Sequence, residues 1–292
     1  MYKVASGPQF ERQGIFSKIF NKFFLIPIFN LLPSVLGRFF ITRSSKTVKG
    51  IYDNAKNSRA LEYLYNFDGK ITITGGFIDS VFTFLWQHNF INAKAARNRF
   101  KLVEAKLYKV CVEVAKNTKG HVRIFSLASG SARVVLKVAS RLRKDGVILD
   151  IKLLDLDPKA LELSKSIASA FNVLDLVSEI CVDKVSNFEK YCEDWVPDVI
   201  EMVGFMDYLT QEKAILLAEK VHRVLPDKGY FVTCNIKDNY ERKFVTDILK
   251  WDMIYRDEDM LLDVMLKGGF ALDNCELIYE PYLIHGLAIG KK

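Results

Sequence analysis

From His121 onward the chain switches repeatedly between two spacings of apolar residues. Short runs rich in β-branched side chains, at 122–128, 147–155, 179–183, 198–203 and 229–236, predict strands. The stretches between them, at 131–144, 158–171, 185–192 and 211–224, have the spacing of amphipathic helices. Such alternation builds βαβ units, so five strands are expected to lie parallel with helices on both faces. Two more runs, Cys275–Glu280 and Tyr282–Gly290, are separated by little more than Pro281. A connection that short permits only an antiparallel hairpin. The expectation is an α/β fold with a seven-stranded, mostly parallel sheet closed by an antiparallel C-terminal hairpin.

Before residue 120 the pattern is helical. Residues 45–66 place Val48, Ile51, Ala55, Leu61 and Leu64 near one face, and residues 76–91 form a strongly apolar piece. Residues 93–117 carry Ala96, Phe100, Val103, Leu107, Val110 and Val114 at steps of three and four. The opposite face bears Arg97, Arg99, Lys101 and Lys109, read as solvated in preference to anion-binding. Residues 15–40 are rich in phenylalanine, but their longest uncharged run, Phe23 to Gly37, contains Pro27, Asn30 and Pro33. That run is shorter than the ~20 residues a bilayer span needs, and no tidy cleavage site of a signal peptide accompanies it. Two readings stay open. The favoured one is a broken amphipathic helix with its aromatics turned inward. The other is an interfacial helix, with Lys18, Lys22 and Arg38 at anionic headgroups and Phe20, Phe23, Phe24 and Phe29 in the acyl boundary.

Composition sharpens this division. With 50% apolar and 26% charged residues the chain is neither disordered nor a small disulfide scaffold. The net charge of +7 is unevenly spread: residues 1–120 hold 19 Lys/Arg against 7 Asp/Glu, and residues 121–292 hold 23 against 28. A basic helical extension or lid over 1–119 thus precedes an acidic core over 120–292. Five cysteines without a CxxC pair and four scattered histidines point to a reduced, cytoplasmic protein with no metal site. Residues 15–40 add the option of peripheral contact at the inner membrane face.

In an open parallel sheet, ligands bind beyond the carboxyl ends of the strands. After the first strand comes Ser126-Leu127-Ala128-Ser129-Gly130-Ser131-Ala132-Arg133, whose small residues either let a ligand approach the backbone or make an ordinary turn. Asp155 ends the second strand, 25 positions after Gly130, where a carboxylate would accept from ribose hydroxyls. Asp157-Pro158 reads as a helix cap. Asp183 ends the third strand, either facing an adenine amino group or capping the next helix. The fourth ends in Glu201-Met202-Val203-Gly204-Phe205-Met206-Asp207-Tyr208, which suits the floor of a site.

Together these segments resemble the class I S-adenosylmethionine (SAM)-dependent methyltransferases, from about residue 120 to the C-terminus. FSLASGSAR stands where that family has its glycine-rich first motif, which implies cofactor contacts for Ala128, Ser129 and Gly130. LLDLDPKAL resembles the second motif and places Asp155 and Leu156 at the ribose. CVDKV resembles the third, with Asp183 and Lys184 on the adenine side, and PDVIEMVGFMDYL the fourth, with Glu201 and Met202. VHRVLPDKGYFVTCNI and the last 26 residues resemble the family's fifth strand and closing hairpin. The resemblance implies a Rossmann-like core, SAM as cofactor, and methyl transfer to a small or lipid-like acceptor. Tyr208 is the first choice for a catalytic group on the substrate side, ahead of Asp207, Glu201, His222 and His285. Two departures bear on activity. Ala128 occupies the first glycine place, which is unstrained only at negative φ. Ser126 occupies the usual acidic place, so the hold on the cofactor's amino-acid end is weakened or re-routed. The alternatives are an RNA methyltransferase, an aminopropyl or aminocarboxypropyl transferase, and a degenerate, non-catalytic SAM-binding protein at the membrane. GGFIDSVFTFLWQHNFINAKAARNRFKLVEAKL more loosely resembles the segment preceding the core in a poorly characterised bacterial group.

Overall fold

Seven strands form within three residues of their expected bounds, and an eighth joins them. The computed structural model describes residues 2–44, 46–53, 62, 65 and 77–292. The strands are β1 (Lys3–Val4), β2 (His121–Leu127), β3 (Ile148–Asp155), β4 (Val177–Val182), β5 (Val199–Met202), β6 (Tyr230–Ile236), β7 (Cys275–Tyr279) and β8 (His285–Lys291). They lie in the order β1-β7-β8-β6-β5-β2-β3-β4. Among the described residues only β8 runs antiparallel to its neighbours β6 and β7. Strand β6 is buried along its whole length, as befits YFVTCNI at the sheet's centre. The unexpected β1 pairs parallel with β7 through Lys3–Ile278 and Val4–Tyr279, so the extension contributes a strand as well as helices.

Helices α6 (Ile91–Asn117), α7 (Arg133–Lys144) and α8 (Pro158–Ala170) cover one sheet face, and α9 (Gln211–Val224) and α10 (Glu258–Lys267) the other. Three of them start on side-chain caps. Asp157 accepts from Lys159 N at 2.9 Å, Thr210 from Lys213 N at 3.4 Å and Asp257 from Met260 N at 2.9 Å. The expected helix at 185–192 is 3₁₀ in form. Helix α10 had no counterpart in the expected pattern. It packs so closely on β8 that a Cβ at Gly290 would lie 2.6 Å from Met265 Cε.

Ahead of these come α1 (Ile15–Phe20), a π-helical turn at Asn21–Leu25, α2 (Ile26–Leu31), α3 (Ser34–Ser44), α4 (Lys46–Asp53) and α5 (Phe77–His88). The break at Leu32-Pro33 follows from proline's missing N–H. Most of the expected helix at 45–66 beyond Asp53, and the Gly75-Gly76 start of the looser resemblance, lie outside the described residues. The phenylalanine-rich segment divides its faces. Leu25, Ile26 and Phe29 pack against Phe244, Ile248 and Trp251, whereas Phe16 is 89% exposed and Phe20, Phe23 and Phe24 also face solvent. The inward reading therefore holds for one stripe only. No described helix is long and apolar enough to cross a membrane.

The extension is tied to the core by buried polar groups. Helix α6 lacks a side-chain cap of its own at Phe90. Glu241, fully buried, supplies one from 150 positions away. Its carboxylate accepts from Ile91 N at 2.8 Å, Asn92 N at 2.9 Å and Asn92 Nδ2 at 2.9 Å. It also takes a 2.7 Å bond from Asn21 Nδ2. The solvated reading of Arg97 and Arg99 is corrected here, since both are buried. Arg97 forks onto Glu11 with two 2.8 Å bonds and also reaches the side chain and carbonyl of Gln87. Arg99 enters the cavity described next.

Candidate active site

The strand order reverses between β2 and β5, and a crevice at their carboxyl ends follows from that topology. A cavity of about 820 Å³ occupies it. Its first half is built on the loop after β2. Ala128 and Ala132 have φ of 48° and 49°, and Gly130 has φ of 53°. The unstrained condition for Ala128 therefore fails: an alanine is held in the left-handed region at a cost of roughly 1–2 kcal/mol. Surrounding bonds enforce that shape. Ser129 N donates to Leu154 O at 2.9 Å, and Ala132 N to Ser129 O at 2.7 Å. Asp155 accepts from Gly130 N at 2.8 Å and from Asp157 N at 2.9 Å, which seals the loop against the end of β3. Ser129 Oγ is buried with no hydrogen-bond partner among the described residues. Glu62, from the extension, takes a 2.6 Å bond from Ser131 Oγ and a fork from Arg133.

Strand register resolves what stands in for the missing acid. Ser126 on β2 lies directly opposite Glu201 on β5, and its Oγ donates to Glu201 Oε2 at 2.6 Å. A carboxylate thus reaches the acidic place from the neighbouring strand. Burial pushes the Glu201 carboxyl up to about 7.

Of the residues expected at the cofactor, Ala128, Ser129, Gly130, Asp155, Leu156, Lys184 and Glu201 line the cavity. Asp183 and Met202 do not line it, a correction to their expected place. Asp183 is drawn away by its neighbours. Lys190 Nζ at 2.6 Å, Asn187 Nδ2 at 2.8 Å and Lys184 N at 2.7 Å occupy its carboxylate and hold it well below the usual carboxylate range. The capping alternative does not hold either, because the 3₁₀ segment at Val185–Cys192 starts from Lys184 with no side-chain cap. Met202 is fully buried in the core, because β-strand alternation turns it away from Glu201.

The second half of the cavity is apolar and aromatic. Tyr65 and Phe100 approach from the extension, and Tyr208, Leu249, Trp251 and Met253 from the core. Tyr208 OH accepts from Trp251 Nε1 at 2.7 Å. Burial pushes its phenol up to about 12, so at neutral pH it can donate a proton in a hydrogen bond but not abstract one. His285 lines the same space with Nδ1 unpartnered among the described residues. Burial and the nearby Arg99 charge hold it well below the ordinary imidazole range, so it is neutral. Asp207 also lines the cavity and accepts from Ile236 N at 2.8 Å. His222 does not reach it and stacks edge-on to Phe270. Sequence reasoning missed the wall from residues 245–253 and the entry of Arg99.

Among the described residues no group of three or more His, Cys, Asp or Glu side chains is placed to hold a metal ion. All five cysteines are free thiols.

No family model matches the chain, and no curated protein matches it in sequence. Solved structures do match. A possible exported protein from Bordetella parapertussis superposes with a TM-score of 0.59 at 12% identity, over 88% of this chain and 83% of its own. A magnesium protoporphyrin IX methyltransferase from Synechocystis, solved with S-adenosylhomocysteine bound, gives 0.56 at 10% identity, over 85% and 99%. A candidate O-methyltransferase from Nostoc punctiforme gives 0.51 at 13%, over 88% and 72%. The chain has the class I SAM-dependent methyltransferase fold, with the sheet order and antiparallel closing strand described above.

Proposed function

We propose that the protein is a SAM-dependent methyltransferase whose acceptor is a small or lipid-like apolar molecule. The observation that carries this reading is one continuous cavity. It runs from the strained loop at Ala128–Ala132 to a chamber walled by Tyr208, Leu249 and Trp251. The residues present fit the cofactor. Asp155 has lone pairs left for ribose hydroxyls, and Ser129 Oγ is an unused hydroxyl in the loop. Glu201 is a buried carboxylate that feels the Arg99 charge but forms no ion pair among the described residues, suited to an α-ammonium group. When bound, SAM supplies an electrophilic methyl group on a sulfonium that departs as a thioether.

The chain's own contribution is to bind, align and dehydrate. Holding two reactants in line is worth up to about 7–11 kcal/mol. The apolar chamber keeps water from competing for the methyl group. Tyr208 hydrogen-bonds and orients the acceptor, and neutral His285 offers Nδ1 to an acceptor proton. Burial of Arg97 and Arg99 weighs against the RNA reading, since neither is available to follow phosphates. Calorimetry with SAM tests the proposal; absence of binding at millimolar cofactor sinks it.

A pH dependence follows from Glu201. Its free carboxyl titrates near 7 and the bound ammonium requires it ionised. SAM affinity is therefore expected to rise about tenfold per pH unit between pH 5.5 and 6.5 and to level off above 7, with proton uptake by buffer below 7. Glu201→Gln is expected to flatten that profile. A wild-type affinity independent of pH, measured by calorimetry across that window, would show that Glu201 does not hold the ammonium.

A further inference from the structure

We propose that the acceptor carries a carboxylate and that Arg99 receives it; this rests on the methyltransferase reading above. Arg99 is 4% exposed, yet it lines the cavity between Phe100 and Tyr208. Its Nη2 donates to Tyr65 OH at 2.7 Å, a neutral partner. Its Nε is buried with no hydrogen-bond partner, and among the described residues it forms no ion pair. A guanidinium stays charged wherever it is buried; Asp207 offers Arg99 a neighbouring charge but no hydrogen-bonded carboxylate partner, which is costly for a buried cation. Four carboxylates line the cavity, Asp155, Asp157, Glu201 and Asp207, and none is hydrogen-bonded to Arg99. Asp207 accepts from the Ile236 backbone N–H, and Glu201 accepts from Ser126 at the cofactor end. The unmatched donor thus neighbours Tyr65, Tyr208 and His285, on the side of the cavity assigned to the acceptor. A guanidinium edge presents two parallel N–H groups, which match a carboxylate best. The acceptor class is an apolar or aromatic acid, its carboxylate on Arg99 and its body against Phe100, Tyr208 and Trp251.

The test uses the full chain with S-adenosylhomocysteine and two probe pairs, 1-naphthoate with 1-naphthamide and laurate with lauramide. At least one acid is expected to bind tenfold or more tightly than its amide. Arg99→Met should erase that preference, and Arg99→Lys should restore part of it. S-Adenosylhomocysteine affinity is measured on every variant. If it is normal and neither acid binds, or acid and amide bind alike, or Arg99→Met keeps the preference, the Arg99 assignment is overturned alone. If wild-type protein does not bind S-adenosylhomocysteine, the methyltransferase reading fails instead.

A separate observation carries a second inference: the structure assigns the outer face of α1–α3 to an anionic lipid surface. Phe16 and Leu31 are 89% and 85% exposed, and Ile15, Phe23, Phe24 and Val35 are more than half exposed beside them. Isolated exposed apolar residues are ordinary, but a contiguous band of this size marks an interaction surface. Residues 12–52 contain seven Lys or Arg and no Asp or Glu. Lys18 and Lys22 are exposed within the band, and Lys22 Nζ lies 5.6 Å over the Phe23 ring. An apolar face on a segment whose only charged side chains are cations complements anionic headgroups. A second copy on a two-fold axis would oppose cation with cation. The inner stripe of the same helices packs on Phe244–Trp251, part of which walls the apolar chamber, so the lipid surface lies next to the site.

Flotation with vesicles of 30% phosphatidylglycerol in phosphatidylcholine is expected to carry the full chain upward, and pure phosphatidylcholine far less. Phe16→Ser with Phe23→Ser, and separately Lys18→Glu with Lys22→Glu, should remain at the bottom while melting near the wild-type temperature. Full-length protein that ignores anionic vesicles overturns the inference. So does a dimer in light scattering that the Phe16→Ser, Phe23→Ser pair dissociates.

Discussion

Glu241→Ala is expected to lower stability by about 3–5 kcal/mol, the range for breaking a buried, fully hydrogen-bonded charged group. The carboxylate caps α6 from outside that helix, accepting the two backbone N–H groups of Ile91 and Asn92. Asn21 and Asn92 complete it. Alanine leaves those donors buried and unsatisfied, and it removes a negative charge from the positive end of a helix dipole. The loss should appear as a fall in melting temperature of roughly 6–15 °C by scanning calorimetry. Glu241→Gln keeps the shape and one acceptor oxygen, so about half the loss is expected. A melting temperature of the alanine variant within two degrees of wild type would falsify this account of α6.

Asp155→Ala should weaken SAM binding by about 30- to 300-fold, or roughly 2–3.4 kcal/mol. Part of that is direct, because the proposed ribose acceptor disappears. Part is indirect, since Gly130 N and Asp157 N lose their partner and the strained loop of Ala128 and Ala132 is released from β3. Asp155→Asn retains one acceptor oxygen and should fall between the two. Titration calorimetry with S-adenosylhomocysteine reads both variants. Unchanged affinity for Asp155→Ala would remove Asp155 from the cofactor site while leaving the fold untouched.

The framework of the sheet was legible because its signals are local. Helix α9 falls at 211–224 as expected, since Thr210 caps it and its apolar residues keep a clean period. Asp157-Pro158 announced α8 in the same way. The site was only partly legible, because its remaining signals are long-range. A helical period reveals a buried face only where the other face meets water. Residues 93–99 of α6 are buried all round, so Arg97 and Arg99 looked solvated by pattern alone. Glu241 and Glu280 are isolated acids in sequence. Glu241 acts on residues 150 positions earlier, and Glu280 organises the β7–β8 turn through Tyr282 N and Ile284 N, both at 2.8 Å. The exchange of an acid from the place of Ser126 to Glu201 becomes visible only when β2 and β5 are known to be neighbours. Asp183 shows the reverse case, in which nearby residues claim a side chain that pattern had assigned to a ligand.

The two residues of β1 set an order of assembly. Lys3 and Val4 pair with Ile278 and Tyr279, so β1 can dock only after a segment 275 positions further along has been made. At about 5–20 residues per second, the inner stripe of the phenylalanine-rich helices waits roughly ten to forty-five seconds for Phe244–Trp251 to be made and cover it. During that interval the nascent chain presents an apolar, cationic segment with nowhere of its own to go. A lipid surface or a chaperone present at synthesis would meet it before the rest of the chain does.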